Sequence, residues 1–262
     1  MGEWSFSFSD LIDDYLKKES RPARIGVYWP SEIGDCIRKN YYKRFLPREV
    51  PKEKRRLFKS GDVAHEFIRD VLARSGKVEL LDWERPFKIP YDNFVLSGRL
   101  DDLILVRIAE EKTPVVVEVK SVSGKSVAHI RNPNPAHLYQ IQPYMHEIGA
   151  QLGLIWYIAR DTFADKPFTT FYDEGIMTEG LIRIQRLHRH LLEHSLPPPE
   201  AKTHKDFTPC QVWRKGKWGE KGEWEMLCPY WFECRDDYNP PPPAVNDTGV
   251  PNGERNGRRD KF

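Results

Sequence analysis

The stretch "SGRLDDLILVRIAEEKTPVVVEVKS", Ser97 to Ser121, decides how this chain is read. Leu103-Ile104-Leu105-Val106 and Val115-Val116-Val117 are short apolar runs with the composition of buried strands, and "EEKTP" (Glu110 to Pro114) supplies a turn between them. The runs therefore make a hairpin. A strand that only fills a core has no reason to open on Asp101-Asp102 or to close on Glu118-Val119-Lys120. Alternate residues of a strand share a face. Glu118 and Lys120 thus point the same way, and Asp101 and Asp102 point opposite ways. Asp101 is the carboxylate set to meet Glu118 across the hairpin, and Asp102 is its neighbour on the other face.

Two carboxylates at one sheet end are hard oxygen ligands of the kind Mg²⁺ or Mn²⁺ prefers. Such a cation polarises a phosphate and acidifies a bound water, which phosphodiester hydrolysis requires. The Lys120 ammonium beside them can orient that water or offset charge at the phosphate. Gly98, three residues before Asp101, permits a tight backbone or a close approach by substrate. Glu-x-Lys alone equally describes a surface hairpin with a solvated ion pair.

Working outward, the chain alternates helix and strand. Asp10–Glu19 is expected to be helical, and so is 28–46 as one helix capped by Ser31. A helix over Ser60–Arg74 carries Val63, Phe67, Ile68, Val71 and Leu72 on its apolar side. Residues 86–108 read as strands with a turn at Tyr91-Asp92-Asn93. Pro135–Gln151 has helical spacing at Leu138, Ile141, Met145 and Ile148. "LGLIWYIAR" is a buried strand with "FTTFYDE" beside it, and 181–196 is an amphipathic helix. The order implies an α/β fold with a central mixed sheet flanked by helices. Residues 1–235 form one domain. The segment 236–262, rich in Pro, Gly and Asn, is expected to be a disordered tail.

Composition narrows the classes. The chain has 262 residues, is 39% hydrophobic and has a net charge of +2, so any nucleic-acid surface must be local. It shows no 18-residue apolar run and no basic-then-apolar leader, so a cytoplasmic location is expected. Four cysteines in a reducing compartment favour a metal or buried-thiol role over disulfides.

The series "GRLD", turn, "VVVEVKS", then a helix with "HLYQIQPY" resembles the PD-(D/E)XK nuclease superfamily, in particular its RecB-like branch. The matching residues are Gly98 and Asp101, Glu118 and Lys120, then Gln140 and Tyr144. The resemblance implies a restriction-endonuclease-like core in which Asp101 and Glu118 bind the metal. His65, in "GDVAHEFIRDVL", joins the metal shell, and the Val119 carbonyl adds a ligand. Lys120 assists the water, and Gln140 and Tyr144 sit by the site and the DNA. Each has a plainer alternative: a half-buried helix histidine for His65, polar packing for Gln140 and Tyr144. His129, His137, His146 and His188 receive no role.

Cys36, in "PSEIGDCIRKNYYKRF", resembles the Cys-x-Arg-x-x-Tyr segment of RecB-like nucleases that carry an iron–sulfur cluster, among them the CRISPR-associated RecB-like exonuclease family and its phage-encoded relatives. That resemblance implies that Cys36, Cys210, Cys228 and Cys234 hold a [4Fe-4S] cluster joining segments 20–46 and 205–235. Four thiolates equally suit tetrahedral zinc. This chain departs from the family's Cys-x2-Cys-x5-Cys spacing. Cys210 precedes Cys228 by eighteen residues, and "QVWRKGKWGEKGEWEML" between them reads as an inserted hairpin.

Three clusters mix basic and aromatic or basic residues as DNA-binding surfaces do: the insert, with Arg214, Lys215, Lys217 and Lys221 among Trp213, Trp218 and Trp224; Arg38, Lys39, Lys43 and Arg44 with Tyr41 and Tyr42; and Pro51–Arg56. Each is equally a solvated charged loop. The resemblance implies a metal-dependent DNA exonuclease acting on single-stranded ends, with 5′→3′ polarity one option. Its setting is phage recombination or repair, or CRISPR adaptation, with an integrase, helicase or annealing-protein partner or a second copy of itself. The rival readings are a DNA-end-binding subunit with weak cleavage and a zinc-stapled DNA-binding protein without catalysis.

Overall fold

The computed structural model describes residues 7–17, 23–200, 211–214 and 223–234. In chain order the elements are α1 (Phe8–Lys17), β1 (Val27–Tyr28), α2 (Pro30–Ile33), α3 (Ile37–Phe45), α4 (Lys52–Arg74), β2 (Glu79–Trp83), β3 (Pro86–Pro90), β4 (Val95–Arg99), β5 (Asp102–Ile108), β6 (Glu111–Val122), α5 (Gly124–Val127), α6 (Pro135–Ile148), β7 (Leu152–Ala159), β8 (Asp165–Phe171), α7 (Glu174–Leu192), β9 (Gln211–Arg214), β10 (Glu223–Met226) and α8 (Trp231–Cys234). β2-β5-β6-β7-β8 form a five-stranded sheet in that order. It is mixed: β6 and β7 run parallel across the α5–α6 crossover, and the other pairs are antiparallel. A smaller sheet has the order β1-β4-β3, and β9 and β10 form the hairpin expected from the insert.

The central strand β6 explains the run of valines. Val116 packs under α6 with Ile141, Met145 and Ile155. Val115, Val117 and Val119 pack under α4 with Ala64, Ile68 and Leu72. Both faces are covered, so the strand is apolar throughout instead of alternating. The same alternation sends Glu118 and Lys120 to the α6 side. β6 starts at Glu111, so the turn is only Ala109-Glu110, with Ala109 at φ 53°.

Several helix expectations need correction. The single helix over 28–46 is two. Its break falls at Gly34, where a Cβ would lie 2.4 Å from the Ala136 Cα of α6; Trp29, not Ser31, stands at the N-cap of α2, and Cys36 at that of α3. Freed carbonyls at the break are taken up by Arg183, whose Nε donates to Ile33 O (2.8 Å) and Nη2 to Asp35 O (2.9 Å). α4 starts eight residues before Ser60. Its buried stripe is Ala64, Ile68 and Leu72, while Val63, Phe67 and Val71 are exposed. Small Ala64 lets the helix sit close on the sheet along that stripe, turning the larger residues outward. β1 and β2 were not foreseen.

The chain's two ends do meet. The Tyr42 ring stacks on Tyr230 (5.4 Å), and the Tyr42 hydroxyl donates to Glu233 O (3.2 Å). Arg38 Nη1 donates to Cys234 Sγ (3.6 Å), and Arg48 binds Pro229 O and Glu233. Cys36, Cys228 and Cys234 form no disulfide with one another, and no metal-ligating group of three or more His, Cys, Asp or Glu occurs among the described residues. Among the described residues the join rests on aromatic and guanidinium contacts. Cys210 and the tail 236–262 lie outside the described residues. No described helix is long and apolar enough to cross a membrane.

Candidate active site

Asp101 occupies the kink where β4 leads into β5. Its carbonyl accepts from Glu84 N (2.9 Å), a residue with φ 47° at the β2–β3 turn. The pairing of Asp102 with Val117 sets Asp101 opposite Glu118. Asp101 Oδ2 accepts the Val119 backbone N–H (2.9 Å), and Oδ1 faces His65 Nδ1 of α4 at 3.4 Å. Val119 thus contributes its backbone to the site while its side chain fills the α4-side core.

On the other side of the hairpin end, Glu118, Lys120 and Gln140 close a triangle. Glu118 Oε1 receives Lys120 Nζ (2.6 Å) and Gln140 Nε2 (2.6 Å), and Lys120 Nζ donates to Gln140 Oε1 (2.9 Å). Glu118 is buried, and its Oε2 has no partner. Burial, then the Asp101 charge, pushes the Glu118 carboxyl up to about 7. Burial pulls the Lys120 and His65 pKa values down, but their neighbouring carboxylates outweigh it and both end raised: Glu118 and Asp101 for Lys120, Asp101 for His65.

Tyr144 is 4% exposed and meets Phe87 edge-on at 5.1 Å, because position 144 lies one turn beyond Gln140 on α6, over the sheet. Gly98 serves the same packing: a Cβ there would come within 2.7 Å of the Phe87 ring and 3.0 Å of Pro30. The close approach is made by the protein itself, not by a ligand.

Asp102 lies on the opposite face, fully buried, with Arg69 Nε at 3.5 Å. Arg69 also bridges to Glu84, which binds Arg99. Burial and the Asp101 charge raise Asp102 to about 6. This Asp102–Arg69–Glu84 chain fixes the turn that holds Asp101, and sequence reasoning missed it. Its one local signal is Arg69, a turn beyond His65 on α4. His137 bonds the Tyr157 hydroxyl (2.8 Å), and burial, then Lys120, lowers it to about 3, so it is neutral. His146 bonds Tyr172 and His188 bonds Tyr28, away from the triangle.

The basic cluster on α3 is structural. Arg44 is buried against Glu32, Arg38 is buried against Pro197 O, Lys39 and Lys43 hold Asp35, and Tyr41 and Tyr42 are core. In Pro51–Arg56, Arg55 and Arg56 pair with Glu49 and Asp13. The side chains of the insert lie outside the described residues.

No ready-made group of three metal-ligating side chains exists at the site, because Glu118 is turned into Lys120 and Gln140. The residues nonetheless fit a divalent cation. An orphaned, buried carboxylate oxygen on Glu118 stands close enough to Asp101 for the two charges to repel, and a cation between them relieves both costs.

The pKa shifts fix the sign of a pH effect. Glu118, Asp102 and His65 all have raised folded-state values. Their stabilisation is present at low pH and is lost as pH rises through those values. For Glu118 the swing is on the order of 3 kcal/mol. The metal-free protein is expected to melt at lower temperature as pH is raised from about 5 to about 8, with Glu118→Gln flattening the profile. A melting temperature that climbs over this range would contradict the assignment.

No protein-family model matches the sequence, and no curated protein matches it. Among solved structures, the chain is similar to SSO0001 (18% identity, TM-score 0.49, covering 76% of this chain and 93% of that one). It is also similar to LHK-Exo, an alkaline exonuclease from Laribacter hongkongensis, in complex with dAMP (14%, 0.48, 68% and 93%), and to a phage-related exonuclease from Haemophilus somnus 129PT (11%, 0.39, 60% and 81%). With identities and TM-scores this low, the chemistry of the site rests on its own residues.

Proposed function

We propose that this chain is a metal-dependent deoxyribonuclease of the RecB-like PD-(D/E)XK type, acting on DNA ends. The observation that carries the reading is the meeting of Asp101, Glu118 and Lys120 at one sheet end, with one Glu118 oxygen buried and unpaired. Asp101, Glu118 and His65, with the Val119 carbonyl, would hold Mg²⁺ or Mn²⁺. The cation supplies Lewis acidity and lowers the pKa of a coordinated water. Lys120, held by Glu118 and Gln140, orients the attacking water and faces the phosphate. Gln140, itself bonded to Glu118, positions Lys120.

The finer reading is an exonuclease on single-stranded ends, 5′→3′, in phage recombination or CRISPR adaptation. A second reading, a DNA-end-binding subunit with weak cleavage, is favoured by the closed Glu118–Lys120–Gln140 triangle, which occupies the carboxylate. End-labelled single- and double-stranded DNA incubated with Mn²⁺, Mg²⁺ or chelator separates these. Metal-dependent mononucleotide release from one end is expected. Tight binding without product selects the second reading, and neither binding nor cleavage sinks both.

The [4Fe-4S] cluster on Cys36, Cys210, Cys228 and Cys234 also stays in the proposal, supported by the shared neighbourhood of Cys36 and Cys228 around Lys39 and of Cys234 beside Arg38. Protein purified without oxygen is expected to be brown and to hold about four irons per chain. Colourless, zinc-containing protein reverses that choice.

A further inference from the structure

α4 is longer than the sheet it covers. Its inner face runs through Leu72, Ile68 and Ala64 over β6, to Gly61, where a Cβ would lie 3.1 Å from Ser121 Oγ. β6 ends at Val122. The helix continues N-terminally for nine more residues, to Lys52. At about 100° per residue, Lys54, Leu57 and Phe58 lie on that same inner face, beyond the end of β6. Leu57 is 43% exposed and Phe58 61%. α1 gives no cover, because it joins α4 from the outer side through the Asp13–Arg56 pair and the Leu16–Val63 groove.

Phe58 precedes His65 by seven residues, two helical turns, so the ring shares a stripe with the site and stands about 10 Å from it along the axis. Lys54 continues that stripe one turn further, exposed, and forms no ion pair among the described residues. Past the end of β6, Lys125 and Arg131 are exposed and likewise free of ion pairs among the described residues.

We propose that the overhanging inner face of α4 is a nucleobase platform for single-stranded DNA: a strand leaving the metal site stacks a base on Phe58 and sets a phosphate against Lys54. This rests on the nuclease reading. The occupant follows from charge and shape. The exposed Phe58 ring lies on the helix stripe that leads to His65, with the exposed Lys54 one turn beyond it, which suits a polyanion with flat apolar bases. At about 3.4 Å per stacked step, three nucleotides span the interval from His65 to Phe58.

The test uses the full chain made inert by Glu118→Ala, titrated into fluorescein-labelled oligothymidylate. Phe58→Ala is expected to weaken binding about tenfold, Phe58→Trp to restore it, and Phe67→Ala, on the outer side of the same helix, to leave it unchanged. In the active chain Phe58→Ala raises KM with kcat retained, and only on substrates longer than about three nucleotides. Phe58 is exposed, so the variant folds, as circular dichroism checks. A chain that cleaves DNA and binds oligothymidylate equally with and without the Phe58 ring overturns the platform alone, and points to a protein partner for this face. A chain that neither binds nor cleaves overturns the nuclease reading with it.

Discussion

Lys120→Ala and Glu118→Ala are each expected to reduce single-turnover DNA cleavage by about a thousandfold or more. The reason lies in the geometry of the β6 end. Glu118 Oε1 and the Lys120 ammonium are 2.6 Å apart and share Gln140, so each holds the other in place. Removing Glu118 takes away a carboxylate that the proposed cation would need and leaves the Lys120 ammonium without its main partner. Removing Lys120 leaves a buried carboxylate beside Asp101 with only Gln140, which drives Glu118 towards its protonated, non-ligating form. Loss of activity must therefore be separated from loss of fold. Glu118→Gln and Lys120→Gln keep size and hydrogen bonding, so their far-ultraviolet spectra and DNA binding are expected to stay close to the unsubstituted chain while cleavage is lost. Cleavage that persists within tenfold in both conservative variants would falsify the assignment of this site.

Arg183→Ala lowers the melting temperature by about 10 °C, from the loss of about 3 to 5 kcal/mol. Arg183 is 4% exposed and donates hydrogen bonds to Ile33 O, to Asp35 O, and to both oxygens of Glu200 at 2.8 and 3.0 Å. Glu200 is itself buried and accepts Ile37 N (2.7 Å). Truncating the arginine strands a buried carboxylate and leaves two carbonyls at the α2–α3 break without their donor. In a double-mutant cycle, Glu200→Ala added to Arg183→Ala costs much less than the two single losses summed, because the second change removes the stranded charge. The pair lies away from the β6 end, so cleavage below the melting transition is expected to survive. A drop of less than about 2 °C would show that water reaches the pair and replaces its bonds.

The two strands around Glu118 were legible because their signals are local. Alternation on a strand places Glu118 with Lys120, and hairpin pairing brings Asp101 opposite. The helix from Pro135 was legible from the spacing of Leu138, Ile141, Met145 and Ile148, but it stops at Ile148, where left-handed Gly149 ends it short of the expected Gln151. Hydrophobic periodicity misled on α4. It counted Val63, Phe67 and Val71 as inward, but the neighbour decided, and the sheet accepts the Ala64 stripe instead. The α3 basic cluster misled in the same way. Residue type cannot say that Arg44 ends in a buried pair with Glu32 or that Arg38 faces Cys234.

By itself, then, the sequence determined the chemistry available at the hairpin end: two acids, an amine and an amide in strand and helix register, all consequences of periods of two and 3.6 residues. Only the tertiary structure decided which oxygen of Glu118 is left bare, that Tyr144 faces the core, that Asp102 and Arg69 brace the turn under Asp101, and that α4 outruns its sheet with Phe58 uncovered. These depend on contacts between segments tens of residues apart. Burial, and with it every pKa and every exposed ring, is a property of what lies across the gap and not of the local chain.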